Sequence, residues 1–382
     1  MGKKRNRVIL IVVEILMLIA AAAILIVVIN GTGDRGVNKI VIKPVDVMVS
    51  DPAGNTPGTS GNISDDVSST STPAMDKYWN IALFGVDSTE GKLSNGTRTD
   101  CIIIASINRE TKEVKLCSVY RDTYLYIAQA NSDGQLKDYK ASNAYQKCNA
   151  AYAFGGAKEA LRMLNMNLGL NITDFVTVGF DGLTDAIDAL GGVDIDVKQE
   201  EIIHLNNYQI SIVGETDDKK NYYATEGVDY TAVTEPGLQT LNGLQATAYC
   251  RIRYVGNDFV RTERQRNVIK LIADKAQTCS VTKLTEIANA VMPKVYTSFS
   301  IEDVVALLGD VSDYKIVDST GFPFEKEIVS ISGPGDCVVA TDLESNVKEL
   351  HKYLFDDTEY EVGTTISEIN ETIENTVKEF RQ

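Results

Sequence analysis

Five of the chain's thirteen arginines, Arg251, Arg253, Arg261, Arg264 and Arg266, fall within one run of sixteen residues, RIRYVGNDFVRTERQR, that contains no lysine. The whole chain carries a formal net charge of -16. Concentrated arginine on an acidic molecule marks a specific anionic ligand rather than diffuse attraction. The planar guanidinium fork binds phosphate or carboxylate through two parallel hydrogen bonds, where lysine acts as a point charge. A second charged group sits at the ends of three apolar runs. Asp87 closes the first (IALFGVD), Arg98 and Asp100 open the second (RTDCIIIAS), and Arg121 and Asp122 close the third (VKLCSVYRD). If the runs are antiparallel strands, those ends share one sheet edge. Acids gathered there call for a divalent cation, and all-oxygen ligands favour Mg²⁺ or Mn²⁺ over zinc. The plainer readings are turn acids and surface ion pairs, with Asp258 and Glu263 neutralising the arginines.

Positioning these residues takes a mixed α/β domain, large enough for one sizeable core. Residues 81–86, 101–107 and 114–120 read as buried strands, and the short polar link 108–113 makes the last two a hairpin. Residues 144–154 and 157–168 read as helices broken at Gly155-Gly156. A strand follows at 175–180, a helix at 183–190 and a strand at 193–197. The long polar stretch 199–236 reads as a hairpin insertion or a lid. Helices are expected at 243–251, 260–278, 282–291, 301–308 and 342–354, with another after residue 361. Asn257-Asp258 caps the 260–278 helix, which puts Arg261 and Arg264 on one face of its electropositive first turns, while Val268, Leu271 and Ile272 continue that face as an apolar anchor. Arg251 and Arg253 either alternate along an extended segment or lie at a helix end. Arg266 points elsewhere.

The N-terminus sets the compartment. Residues 1–7 form a basic tail with Lys3, Lys4, Arg5 and Arg7, and residues 8–29 are apolar except for Glu14. A helix over residues 8–29 is roughly 33 Å long, enough to cross a bilayer. The basic flank predicts a single-pass cell-membrane protein, cytoplasmic at its N-terminus, with the bulk of the chain outside. The alternative is a cleaved signal peptide, although no A-x-A site closes the apolar stretch. Residues 30–77 form a stem, in which 21 of the 24 residues from Ser50 to Pro73 are Gly, Ser, Thr, Asn, Asp or Pro, a linker composition. The acidic bulk repels nucleic acid and anionic headgroups, so no nucleic-acid partner is expected. Six cysteines show no C-x-x-C spacing, and a zinc site is not indicated. A Cys279–Cys337 disulfide is permitted outside the cell. His204 reads as a loop residue and His351 as a surface residue near a helix end.

Over residues 81–270 the ordered motifs FGVD, RTD, SVYRDT, KCNAAYAFGG, DALGGVDIDV, LNGLQATAYCRIR and NDFVRTERQ resemble the LytR-CpsA-Psr (LCP) proteins of bacterial envelopes. The resemblance implies an α/β/α sandwich as catalytic domain, taken as 78–356, with a charged tail at 357–382. It implies transfer of a phosphoglycan, such as teichoic acid or capsular polysaccharide, from a polyprenyl-pyrophosphate carrier to peptidoglycan. By similarity Asp87 and Asp100 hold Mg²⁺. Arg98, Arg121, Arg251, Arg253, Arg261 and Arg264 bind the pyrophosphate, with Gln265 close by. Asp122 is the candidate base for a muramic acid 6-hydroxyl, a task Asp87 or Asp100 could share, and Leu161, Leu164, Val176 and Ile187 line a cavity for the lipid. Two positions depart from the family pattern. Thr89 stands where an arginine is usual, and Tyr120 where proline usually precedes the Arg-Asp pair, a change expected to alter only the local turn. A pyrophosphatase on the same site, or a non-catalytic regulator that binds the carrier, fits the same residues.

Overall fold

A computed structural model of the chain describes residues 72–86, 93–94, 96–127, 129, 136–216, 221–276, 278–280, 283, 287, 291, 294–299 and 315–381. The expected membrane span, the linker, Asp87, Thr89, the 301–308 helix and most of the 282–291 helix lie outside them. Among the described residues, no helix is long and apolar enough to cross a membrane. The fold is mixed α/β, with a central mixed sheet flanked by helices. The chain divides into two compact units. One, the sheet unit, comprises Tyr78–Val86 with Leu93–Thr177 and Asp318–Gln382, and the other, the arginine unit, is built on Val178–Val317.

In the sheet unit, β1 (Tyr78–Val86), β2 (Thr99–Asn108) and β3 (Glu113–Val119) form an antiparallel meander. Their apolar residues run nearly without alternation because both faces are covered: Ile81, Ala82, Ile103 and Ile104 are all fully buried. Asn108 makes the β2–β3 turn by accepting from the backbone N–H groups of Glu110 and Thr111 at 2.9 and 3.0 Å. Two short strands, β4 (Tyr124–Tyr126) and β5 (Tyr145–Lys147), pair antiparallel, and β6 (Asp174–Val178) lies beside β1. The Ala150–Leu168 helix breaks as its glycines foretell, with Gly156 at φ 65°, ψ -153°, a region open to glycine. The first of the two expected helices, 144–154, is shorter than its pattern: β5 takes residues 145–147, and the helix begins at Ala150.

Two helices close this unit. Leu343–Phe355 starts on Asp342, whose carboxylate accepts from the Ser345 N–H at 2.9 Å. Thr364–Val377 occupies what reads as a charged tail, because Ile366, Ile369, Ile373 and Val377 make one apolar stripe, and all four are buried. His351 is also internal rather than on the surface. It is 0% exposed, its Nε2 is 2.9 Å from the Leu168 carbonyl, and its ring stacks on Tyr360 at 3.4 Å.

In the arginine unit, Val193–Val197 pairs antiparallel with Gly237–Leu241. Between them, the stretch expected as a hairpin or lid forms the helix Ile202–Val213, followed by a minimal hairpin of Glu215–Thr216 with Tyr222–Tyr223. His204 is therefore helical. The Gly243–Tyr249 helix is set by a reciprocal cap: Asn242 Oδ1 accepts from the Gln245 N–H at 2.8 Å, and Gln245 Oε1 accepts from the Asn242 N–H at 2.9 Å. The helix Asp258–Ala276 starts where Asn257 predicts, its Oδ1 accepting from the Val260 N–H at 3.1 Å. Arg261, Arg264, Gln265, Val268 and Ile272 make its buried stripe. Cys279 and Cys337 are free thiols, so the permitted disulfide is not formed.

Candidate functional site

Strand register builds the first constellation. Val86 pairs with Thr99 and Ile103 with Ser118, so three further steps of the β2–β3 register bring Asp100 opposite Arg121. The Arg121 guanidinium donates through Nη1 to Asp100 Oδ1, and its Nε lies 3.4 Å from Asp122 Oδ2. On the other side of Asp122, Lys147 Nζ is 3.3 Å from Oδ1. The β4–β5 register, with Tyr124 opposite Lys147, puts that lysine within reach. Two acids and two bases thus alternate along one rim, each side chain about a fifth exposed. Arg98 precedes β2 as an exposed residue of the same rim segment, and Asp87 lies outside the described residues.

The turn that carries Arg121 and Asp122 is clamped through its backbone. Thr123 N–H and Oγ1–H both donate to the Tyr120 carbonyl, at 2.9 and 2.6 Å. The Arg121 carbonyl accepts from Asn149 N–H at 3.1 Å, that of Asp122 from Val338 N–H at 2.9 Å, and that of Thr123 from Cys148 N–H at 2.8 Å. Tyr120 does more than alter the turn: its N–H donates to the Phe322 carbonyl at 3.0 Å, a bond that proline has no hydrogen to make. Cys337, fully buried next to Val338, is an inert thiol, pushed up to about 11 by its burial.

The second constellation lies in the arginine unit. Arg264 is 5% exposed, and Glu201, its partner, 1%. Arg264 Nε and Nη2 reach Glu201 Oε1 at 2.9 and 2.8 Å, Nη1 donates to the Ile252 carbonyl at 3.1 Å, and Nη2 to the Val255 carbonyl at 2.8 Å. This fork therefore holds the segment that displays Arg251 and Arg253. Arg261 is likewise buried, with Nη2 3.0 Å from Asp258 Oδ1, the pairing that the plainer reading of the cluster anticipates. Arg251 lies over two rings, 4.4 Å from Phe180 and 5.2 Å from Tyr208. Arg253 is half-buried. The Gln265 amide is buried and directed at the Cys250 carbonyl, 3.5 Å away. Leu161, Leu164 and Val176 are buried in the sheet unit and Ile187 in the arginine unit.

Four participants escaped sequence reasoning. Lys147 opens the KCNAAYAFGG motif, and its charge beside a cysteine is the one signal that could have found it. Phe180 and Tyr208 carry no chemical signal of their own, and Glu201 sits in a polar run that gives no hint of its buried partner.

The donors suit a hard cation in one respect only. Among the described residues, no three acidic, histidine or cysteine side chains are grouped to hold a metal. One or two carboxylates are what Mg²⁺ usually takes from protein, with substrate phosphates and water completing its shell. Of the two acids expected to hold the ion, Asp100 is described, and it is already engaged by Arg121.

A profile of the LytR_cpsA_psr family matches residues 54–350. Biofilm regulatory protein A of Streptococcus mutans is 31% identical over 243 residues, 62% of this chain and 54% of that protein. The polyisoprenyl-teichoic acid–peptidoglycan teichoic acid transferase TagU of Enterococcus faecalis is 30% identical over 230 residues, 59% of this chain and 63% of that protein. The chain thus spans between half and two thirds of the length of these two relatives. Among solved structures, protein gbs0355 from Streptococcus agalactiae superposes with a TM-score of 0.59 at 26% identity, over 77% of this chain and 94% of that one. The Bacillus subtilis protein YwtF (TagT), solved with bound octaprenyl pyrophosphate lipid, superposes with a TM-score of 0.50 at 20% identity, over 74% of this chain and 93% of that one.

Proposed function

Since the chain belongs to the LytR_cpsA_psr family, we propose that it transfers a phosphate-linked glycopolymer, such as teichoic acid or a capsular polymer, from a polyprenyl-pyrophosphate carrier to peptidoglycan. The observation that carries this reading is the rim in which Asp122 stands between Arg121 and Lys147, with Asp100 on the far side of Arg121. The names of TagU and of the lipid-bound YwtF structure support the substrate class.

In the proposed step an acceptor hydroxyl oxygen bonds to the phosphorus that bears the glycan. The bridging P–O bond breaks, and polyprenyl phosphate leaves with its electron pair. Asp122 takes the hydroxyl proton. Charge building on the equatorial oxygens is met by cationic side chains already fixed in place, which is where most of the acceleration arises. Arg121, Arg98, Arg251 and Arg253 are the proposed phosphate ligands, and Arg261, buried against Asp258, supports the segment from behind. Gln265 backs the segment, and Arg264 acts by positioning Arg251 and Arg253. Mg²⁺ or Mn²⁺ held by Asp87 and Asp100 would neutralise pyrophosphate charge when bound. The proposed location is the outer face of the cell membrane, a reading supported by the apolar segment 8–29 and its basic flank.

The test incubates full-length protein in detergent with polyprenyl-pyrophosphate-linked glycan, radiolabelled in the sugar, and peptidoglycan sacculi. A covalent glycan–peptidoglycan adduct that disappears with EDTA and returns with Mg²⁺ is the expected result. Release of soluble glycan phosphate without adduct would identify a pyrophosphatase instead.

A further inference from the structure

Three residues beyond Arg251, the same segment presents an aromatic ring to solvent. Tyr254 is 77% exposed, yet it is held in place. One face stacks on His204, with ring centroids 5.2 Å apart and planes inclined by 25°. The backbone on either side is fixed by Arg264, which binds the carbonyls of Ile252 and Val255. His204 and Tyr208 are four residues apart in the Ile202–Val213 helix and therefore share a face, one turn apart. Tyr208 meets Arg251 and His204 meets Tyr254. One helix face thus carries a guanidinium and, about 6 Å further along the axis, an exposed aromatic face.

Stacking on rings fixes the plane of a guanidinium, and its planar fork has enough in-plane N–H groups to serve more than one oxygen. A fixed tyrosine offers a large, rigid, amphipathic contact at small entropic cost, and the negative face of its ring attracts the partly positive C–H groups on the face of a sugar. A ligand that matches both features has an anionic group and, one short step away, a ring with an apolar face. We propose that Tyr254 and His204 form a sugar-stacking subsite for the pyranose joined directly to the carrier's pyrophosphate, with Arg251 on the adjoining phosphate. A prenyl chain is a poor occupant, because a ring pair this open to water would not bury it. The inference rests on the pyrophosphate reading above and adds to it which residues read the first sugar.

Titration calorimetry with the full-length protein in detergent micelles tests it. The probes are polyprenyl pyrophosphate, bare or bearing a single N-acetylglucosamine on its terminal phosphate. The wild type is expected to bind the sugar-bearing probe roughly tenfold more tightly than the bare one. Tyr254→Ala should reduce that ratio to about one while leaving affinity for the bare probe and the melting temperature unchanged, and Tyr254→Phe should keep the wild-type ratio. A Tyr254→Ala protein that retains the wild-type preference, or a wild type with no preference, overturns the subsite and leaves the pyrophosphate reading intact. Failure of the wild type to bind either probe overturns that reading, and the subsite with it.

Discussion

The rim of the sheet unit and the arginine segment hold their charges in opposite ways. At the rim, Arg121, Asp100, Asp122 and Lys147 neutralise one another while staying about a fifth exposed. In the arginine unit, the Arg264–Glu201 pair is sealed from solvent, and two backbone carbonyls share the same guanidinium. Water still screens the first set, so its members exchange one partner for another at little cost. Charge in the second set has nowhere else to go: a buried ion that loses its partner keeps its desolvation penalty without compensation. Chemical residues belong in the first kind of setting and positioning residues in the second. The same arginine side chain serves both ends, and burial decides which.

Removing one partner from each set separates them most sharply. Glu201→Ala should lower the stability of the arginine unit by about 3–5 kcal/mol, because it leaves Arg264 charged and buried. Asp122→Ala should change the stability of the sheet unit by less than about 1 kcal/mol. Chemical denaturation, followed by hydrogen exchange in peptides from each unit, measures both. Equal losses would break the distinction. Transfer activity should show the reverse order at the rim. Arg121→Ala is expected to slow glycan transfer by about 10²–10³-fold without unfolding the sheet unit, the usual cost of one lost transition-state donor. Arg121→Lys should recover only a small part of that loss. A single ammonium cannot span Asp100 and Asp122 as the guanidinium does.

How far these roles were legible follows from the range of the interactions. The meander was readable because the runs IALFGV and CIIIAS are buried on both faces, and a short polar link leaves an antiparallel partner as the simplest connection. From it followed the meeting of Asp100 with Arg121. Asn257 announced its helix through a local hydrogen bond. The Ile202–Val213 helix was missed because its apolar residues sit among polar ones and its start bears no conventional cap, so packing against the Gly243–Tyr249 helix decides its shape. Glu201 and Arg264 are 63 residues apart, and no local pattern connects them. His351 was misjudged for the same reason. Its partners, the Leu168 carbonyl and Tyr360, come from other elements.

Buried titratable groups give the two units opposite responses to acid. Burial holds His351 down to about 4, with the Leu168 carbonyl only partly offsetting it. Between its unfolded value near 6.5 and about 4, the unfolded chain binds the proton and the folded one does not, so stability is complete above pH 6.5 and is lost as pH falls through this window. The loss amounts to about 3 kcal/mol for a group this deeply buried. Asp274, on the Asp258–Ala276 helix, runs the other way. Burial raises it to about 6, Lys270 opposing, so the folded state keeps a proton that the unfolded chain gives up above 3.8. Its penalty is absent below pH 3.8, grows as pH rises to about 6, and is then complete. Asp274 is only half-buried, and screening limits the effect to about 1 kcal/mol. Hydrogen exchange corrected for its intrinsic pH dependence should therefore show the Leu343–Phe355 helix losing protection from pH 6.5 to 4 while the Asp258–Ala276 helix gains slightly. His351→Gln should flatten the first slope and Asp274→Asn the second. Slopes of the same sign in both helices would mean that other carboxylates, and not these two groups, set the acid response of each unit.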